Sequence, residues 1–532
     1  MKRSIAALLI VCTLSAGAQQ NIDVLQYRFN IELTDASDTV YGQARITFRV
    51  LKDISSVSLD LKGPRNGKGM KVTEVVWDPF STRLLSFTQQ EEKLRIETGN
   101  LRAGDTSFVT IRYKGIPADG LIISKNKYGH RTFFSDNWPN RAHHWIPCVD
   151  DPADKAAVEF NIIAPAHYQV VSNGVKAEET SLPGNKRLTG WKEDVPLPTK
   201  VMVIGVADFA VNHSGDVGCV PVSSWVFPEN KEAGFYDYAQ AKEILAWYID
   251  QIGPYAYKKL ANVQSKTIFG GMENASAIFY YENSVSGERR EEALLAHEIA
   301  HQWFGNHATE KSFAHLWLSE GFATYLTHMY LEYRYRGDTL AKRMQQDRDE
   351  VLDFVSNAKR PVVDSNSAYM QLLNANSYQK GGWILHMLRN QLGDFVFQKS
   401  IQEYYKQYGG SNADSKDLQR IFEQQSGKDL QTFFTQWLHY QVNPSLKVTW
   451  QYLSGQRKIR LTVQQLQKSP AFTFPLEVAI VYPDGIREIR KLDIFGIHHV
   501  ITLTLTYDQK PAQLILDPNT KLLFEGNITE IK

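Results

Sequence analysis

The 532 residues are 43% hydrophobic, 22% charged and 12% aromatic, which is globular composition with apolar material for several buried cores. At about 150 residues per domain the chain is too long for one domain. A formal net charge of +1 excludes the basic excess of a nucleic-acid binder and the acidic tail of a charged interaction segment.

The N-terminus comes first. Lys2 and Arg3 form a positive start, Ile5 to Leu14 is an apolar run too short to span a bilayer, and Ser15-Ala16-Gly17-Ala18 supplies small residues for cleavage. Residues 1–18 are expected to be a signal peptide, with Gln19 near the mature start and export to a secreted or periplasmic location. A buried N-terminal helix is the competing reading, and the order of charge, apolar run and small residues argues against it. Val11 before Cys12 is not the small residue that lipoprotein processing wants. No later stretch approaches about 18 continuous apolar residues, so no transmembrane span is expected. Cys148 and Cys219 then remain, and sequence alone leaves open whether they pair. Asn212, Asn274 and Asn527 begin Asn-X-Ser/Thr sequons. Asn274 lies in a motif treated below as functional, which favours a bacterial periplasm over a glycosylating route.

From 19 to about 210 the chain reads as a β domain. Tyr27–Leu33, Ala44–Val50 and Phe108–Tyr113 alternate apolar and polar, separated by Gly, Pro, Asn and Asp clusters. From 211 to 443 helical spacing dominates, beginning with Tyr236–Ile252, where Ile244, Trp247, Tyr248 and Ile252 share a side. A strand-like Val263–Phe269 interrupts it. Alternation returns at Leu446–Trp450, Ile459–Val463 and Leu476–Tyr482, predicting a small C-terminal β domain over 444–532. The expected fold class is a multidomain α+β protein.

His297-Glu298-Ile299-Ala300-His301 carries the chemistry. Histidines four apart share one face of a helix about one turn apart, which suits two imidazoles on one zinc ion, with Glu298 between them as general base. A bare motif of this kind is also compatible with two satisfied helix histidines. A third ligand is needed, and Glu320, nineteen positions after His301 in Trp317-Leu318-Ser319-Glu320-Gly321-Phe322-Ala323, is placed to complete a His-His-Glu site at the start of a second helix, with Ser319 as a candidate cap. Alone, Glu320 would read as a surface carboxylate.

With these motifs on the page, the chain resembles peptidase family M1, the gluzincin aminopeptidases that include aminopeptidase N and leukotriene hydrolase. The resemblance rests on Gly270-Gly271-Met272-Glu273-Asn274, on His297 to Asn306, on Trp317 to Ala323 and on Tyr378-Gln379-Lys380-Gly381-Gly382, with a fainter match at Pro147-Cys148-Val149-Asp150-Asp151-Pro152. It implies an N-terminal β-sandwich or saddle domain, a thermolysin-like, mainly helical catalytic domain with a small mixed sheet, and a small C-terminal β-sandwich. It implies one zinc ion per chain held by His297, His301 and Glu320. Glu298 is then the catalytic base and Tyr378 the donor to the oxyanion. Glu273 binds the α-amine of a peptide with a free N-terminus, and Gly270, Gly271, Met272 and Asn274 run beside the peptide. Lys380 reads as structural or as a helix-start charge.

Departures from the family pattern add expectations. Gly271 replaces the common alanine, as in the aminopeptidase B and leukotriene hydrolase branch. Thr327 stands where a glutamate often follows the zinc glutamate by seven. Asp136 in Ser135-Asp136-Asn137-Trp138 is the candidate for an upstream element that helps hold the amine. Many relatives continue into a large helical domain where this sequence reads as stopping after the β domain, so a more open cleft, or one covered by a partner subunit, is expected. Phe269 and Tyr280 are candidates for the specificity pocket; oligomeric state is open. Lipid epoxide hydrolysis is the second enzymatic reading, and a non-catalytic peptide-binding scaffold is the reading outside enzymes. The intact set His297, Glu298, His301, Glu320 and Tyr378 argues against the scaffold.

Overall fold

The computed structural model describes residues 21–77 and 83–531; the expected signal peptide at 1–18 lies outside the described residues. The β region is built on a seven-stranded sheet. Its centre is the strand Ile22–Glu32, parallel to Lys155–Pro165 and antiparallel to Val40–Val50. The predicted alternation is visible in the burial: Tyr27, Phe29, Ile31 and Leu33 point inward while Arg28 is exposed and pairs with Glu159 at the surface. Tyr27, Phe29 and Phe160 stack along this inner face. A four-stranded and a three-stranded sheet complete the region.

Strands Ala210–Val217 and Val220–Val226 belong to a different, five-stranded sheet with Leu260–Ser265, Ala277–Tyr281 and Gly271–Met272. The last pair carries the Gly-Gly-Met-Glu-Asn segment at its edge, antiparallel to Phe279 and Tyr280. Helix α1 (Lys231–Tyr238) and helix α2 (Ala241–Ile252) occupy the stretch read as one helix from Tyr236. The helix breaks at 239–240, where the Gln240 amide donates to the Asp237 carbonyl at 3.0 Å and replaces the helical bond that carbonyl would have accepted. The predicted inner face of Ile244, Trp247, Tyr248 and Ile252 is buried. The strand read as Val263–Phe269 ends instead at Ser265.

Helix α3 (Glu292–Ala300), α4 (Trp317–Tyr335) and α5 (Thr339–Asn357) follow, then a single π turn (Asn376–Lys380) running into α6 (Gly381–Leu392). Helices α7 (Asp394–Tyr408), α8 (Ser415–Ser426) and α9 (Gln431–His439) close this layer. The C-terminal strands form a four-stranded and a three-stranded sheet whose inner faces join the helical core. They dock through Arg348, which pairs with buried Asp517 at 2.6 Å, and through His386, which contacts the Thr520 carbonyl at 2.8 Å.

Two lysines, Lys200 buried and Lys155 half-buried, join the N-terminal β region to the segment after α3. Lys200 pairs with Glu310 at 2.6 Å, both out of solvent, and Lys155 donates to the carbonyls of Asn306, His307 and Ser411. Burial pushes the Lys155 amine down to about 7, so its three carbonyl partners are what make the site tolerable for it. Cys148 is buried and Cys219 exposed; both are free thiols.

Candidate active site

Helix α3 places His297 and His301 one turn apart, and α4 brings Glu320 against both. His297 Nε2 and His301 Nε2 are 3.2 Å apart, and Glu320 Oε2 lies 3.3 Å from each. Ligand atoms about 2.0–2.1 Å from one tetrahedral ion sit about 3.3–3.4 Å apart, so two nitrogens and one carboxylate oxygen fit zinc as placed. The surroundings fix the donor atoms. His301 Nδ1 faces the Phe304 carbonyl and Ser319 Oγ, each at 3.1 Å, which turns Nε2 toward the other two groups. Ser319 is thus not a cap. The helix begins two residues earlier, at Trp317, and its serine orients a histidine instead. Burial opposes charge on Glu320, yet the two imidazoles hold its carboxyl well below the usual carboxylate range.

A second group, Glu92, His143 and His144, also brings ligand atoms within 4.8 Å of one another. Two of its members are otherwise engaged: Lys62 pairs with Glu92, and Asp150 takes His143 Nδ1 at 2.7 Å.

Glu298 projects from the same turn of α3 into a cleft of about 540 Å³ that is also lined by Gly270, Gly271, Met272, Glu273, Glu320 and Tyr378. It is 5% exposed, and burial pushes its carboxyl well above the usual range. Gly271 has a direct role here: a Cβ on it would stand 2.3 Å from Glu298 Oε1. The missing side chain makes room for the carboxylate rather than for a ligand backbone alone.

Glu273 enters the cleft from the edge strand, with Oε1 buried and without a partner. Its backbone is clamped by the segment that follows α3: Gln302 Nε2 and Asn306 Nδ2 donate to the Glu273 carbonyl at 2.8 and 2.6 Å, and Gln302 Oε1 accepts from Ser276 N at 2.9 Å. In the sequence Gln302 and Asn306 stand out only as part of the motif His297 to Asn306. Their role is hidden in sequence because the acceptor is a backbone carbonyl, which any residue would supply.

Tyr378 sits on the π turn and stacks on His297, with ring centroids 5.9 Å apart and planes 13° off parallel. Burial and the carboxylates of Glu320, Glu273 and Glu298 push its phenol well above the ordinary range, so it is a hydrogen-bond donor in the cleft. What lets this turn approach α4 is a pair of glycines: a Cβ on Gly381 would come within 2.8 Å of the Gly321 Cα, and one on Gly321 within 2.7 Å of the Gly381 Cα. Gly381→Ala is therefore expected to force the two backbones apart at a cost of about 1–3 kcal/mol. A lowered midpoint of thermal unfolding checks this; an unchanged midpoint would mean that the contact yields without strain.

Three expectations are corrected by placement. Asn274 is wholly buried and does not line the cleft, so it is neither beside a peptide nor open to a glycan. Asp136 does not line the cleft. It is buried, bound by Arg141 at 2.5 Å, and accepts from Thr267 Oγ1 and Ile268 N at 3.1 Å each, which anchors the loop entering the Gly-Gly segment. Phe269 lines the cleft, whereas Tyr280 is interior with its hydroxyl on Asn262. Lys380 stands at the start of α6 as a buried residue: its Nζ has no partner, and burial lowers it to about 7. Thr327, at the position of the missing glutamate, lines the cleft and turns its hydroxyl back to the Ala323 carbonyl.

Residues 236–437 match the peptidase family M1 domain and residues 24–201 the peptidase M1 N-terminal domain. The chain is 28% identical over 394 residues to a probable aminopeptidase 2 of Sulfurisphaera tokodaii, covering 69% of this chain and 49% of that protein. It is 28% identical over 364 residues to glutamyl aminopeptidase of Sus scrofa (64% and 38%) and 25% identical over 454 residues to aminopeptidase M1 of Arabidopsis thaliana (81% and 48%). The matches span about half the length of these relatives or less.

Proposed function

This chain belongs to peptidase family M1, and on that premise we propose that it is a zinc aminopeptidase removing the N-terminal residue from peptides. One observation carries the reading: Glu273, a buried carboxylate with an unpartnered oxygen, shares one cleft with Glu298 and the His297, His301 and Glu320 cluster. A cleft that ends in a buried carboxylate favours a substrate ammonium there, because taking that charge out of water requires an opposite charge to receive it. Fixing the amine fixes which peptide bond reaches the reacting groups, which makes the action exopeptidic.

His297, His301 and Glu320 would hold one zinc ion. When bound, the ion supplies a Lewis acid that polarises the scissile carbonyl and lowers the pKa of water toward about 7. Glu298 takes a proton from the attacking water and delivers it to the leaving amine. The Tyr378 hydroxyl donates to the developing oxyanion; a positioned donor of this kind is worth about 3 kcal/mol. Gly271 keeps Glu298 free to move between water and amine, and Gln302 and Asn306 hold the Glu273 backbone in register with α3.

Treatment with a strong zinc chelator is expected to abolish hydrolysis of aminoacyl-coumarin substrates, and one equivalent of zinc to restore it. Full activity in a preparation shown by elemental analysis to hold no metal would overturn the zinc reading.

A further inference from the structure

The cleft carries one guanidinium, and the chemistry above does not use it. Glu273, Glu298, Glu320, Asp347 and Glu350 line it as carboxylates, and Arg343 is the one lysine or arginine among the lining residues. Among the described residues Arg343 has no ion-pair or hydrogen-bond partner, while its neighbours on α5 do: Lys342 pairs with Asp338, and Arg348 with Asp517. The carboxylate one turn along the helix, Asp347, which would ordinarily pair with Arg343, is instead taken by His328 at 2.8 Å. A half-buried guanidinium is thus left facing the cleft with its donors unspent.

Its position relative to Glu273 gives it meaning. The strand that leads into Glu273 packs on α3, whereas α5 packs on α4 and the π turn, and both Glu273 and Arg343 line the cleft. Helix α4 starts at the Glu320 end and runs past Thr324 and Thr327 to His328, about 12 Å along its axis at 1.5 Å per residue. Helix α5 returns antiparallel, pinned there by His328 and Asp347, and Arg343 lies one turn beyond that pin. An extended peptide advances about 3.3–3.6 Å per residue, so its chain past the cleaved bond would reach Arg343 after about three to five residues.

We infer that Arg343 receives the C-terminal carboxylate of short peptides whose N-terminal amine is held by Glu273, so that the favoured substrates are free-acid oligopeptides of about four to six residues. This rests on the aminopeptidase reading and names its substrate class. Guanidinium suits the task because two of its donors match a carboxylate, and no competing side chain holds them.

The test compares a pentapeptide bearing a free C-terminal carboxylate with its C-terminal amide. The wild-type protein is expected to favour the acid by about tenfold in kcat/KM, mostly through KM. In Arg343→Gln the ratio of acid to amide is expected to fall to one or below, because Asp347 and Glu350 remain. Arg343→Lys should restore part of the preference as a point charge. A wild-type ratio near one, or a ratio retained in Arg343→Gln, overturns the inference while leaving the aminopeptidase reading intact. If neither peptide is cleaved, that reading falls and this inference with it. Should Arg343→Gln fail to fold, the wild-type pair decides alone.

Discussion

Glu298→Gln is expected to keep its metal and lose its catalysis, with kcat falling by about a thousandfold or more. The substitution is nearly isosteric, so the space that Gly271 leaves for this side chain remains filled. None of the three ligand atoms is touched, since they come from His297, His301 and Glu320. What disappears is the ability to accept a proton: an amide cannot take one from water or carry one to a leaving nitrogen. KM should change little, because substrate is held by Glu273 and the cleft walls. Zinc content by elemental analysis, read beside kcat, separates the two effects. A variant that hydrolyses at the wild-type rate removes Glu298 from the mechanism. One that loses its zinc shows that the side chain supports the ligand cluster instead.

How far the sequence disclosed this site differs from residue to residue. Spacing alone put His297 and His301 together, because a helix repeats every turn whatever surrounds it. The β alternation at Tyr27–Leu33 was legible for the same reason: a sheet with one buried face writes its period into the chain. Tertiary partners left no such trace. Asp136 looked available for an amine until the fold brought Arg141, Thr267 and Ile268 onto it. The break between α1 and α2 depends on one side-chain amide competing for one carbonyl, which periodicity does not register. The glycines of the two later motifs were equally opaque. Gly321 and Gly381 are more than fifty residues apart in sequence, and their meaning is a mutual one, that neither helix could approach if either carried a side chain.

Those contacts recast the motifs as one assembly. Gln302 and Asn306, on the segment that follows the histidines, grip the backbone of Glu273. Gly321, one residue past Glu320, admits the turn that carries Tyr378. Each motif therefore supplies reacting groups of its own and a fixture for another motif's group. Catalysis by preorganised groups needs this, since a misplacement of about 1 Å can cost a hundredfold.

The substrate end of that assembly carries the second large expected effect. Blocking the substrate amine by acetylation should stop cleavage, and Glu273→Gln should lower kcat/KM for unblocked substrates by somewhat more than a hundredfold, about 3 kcal/mol. Glu273 is 5% exposed, so an ammonium bound there leaves most of its hydration behind, and an amide oxygen offers it a dipole where a full charge is needed. Because the Glu273 carbonyl, not its side chain, bears the clamp from Gln302 and Asn306, the variant should keep the strand in place and keep its thermal midpoint. The loss should also be selective. Glu273→Gln gives up its discrimination between free and acetylated substrates, whereas Glu298→Gln loses turnover on free substrates and retains the discrimination in binding. Equal hydrolysis of free and acetylated peptides by the wild-type protein would make it an endopeptidase and would leave the buried, unpartnered oxygen of Glu273 without a substrate to answer it.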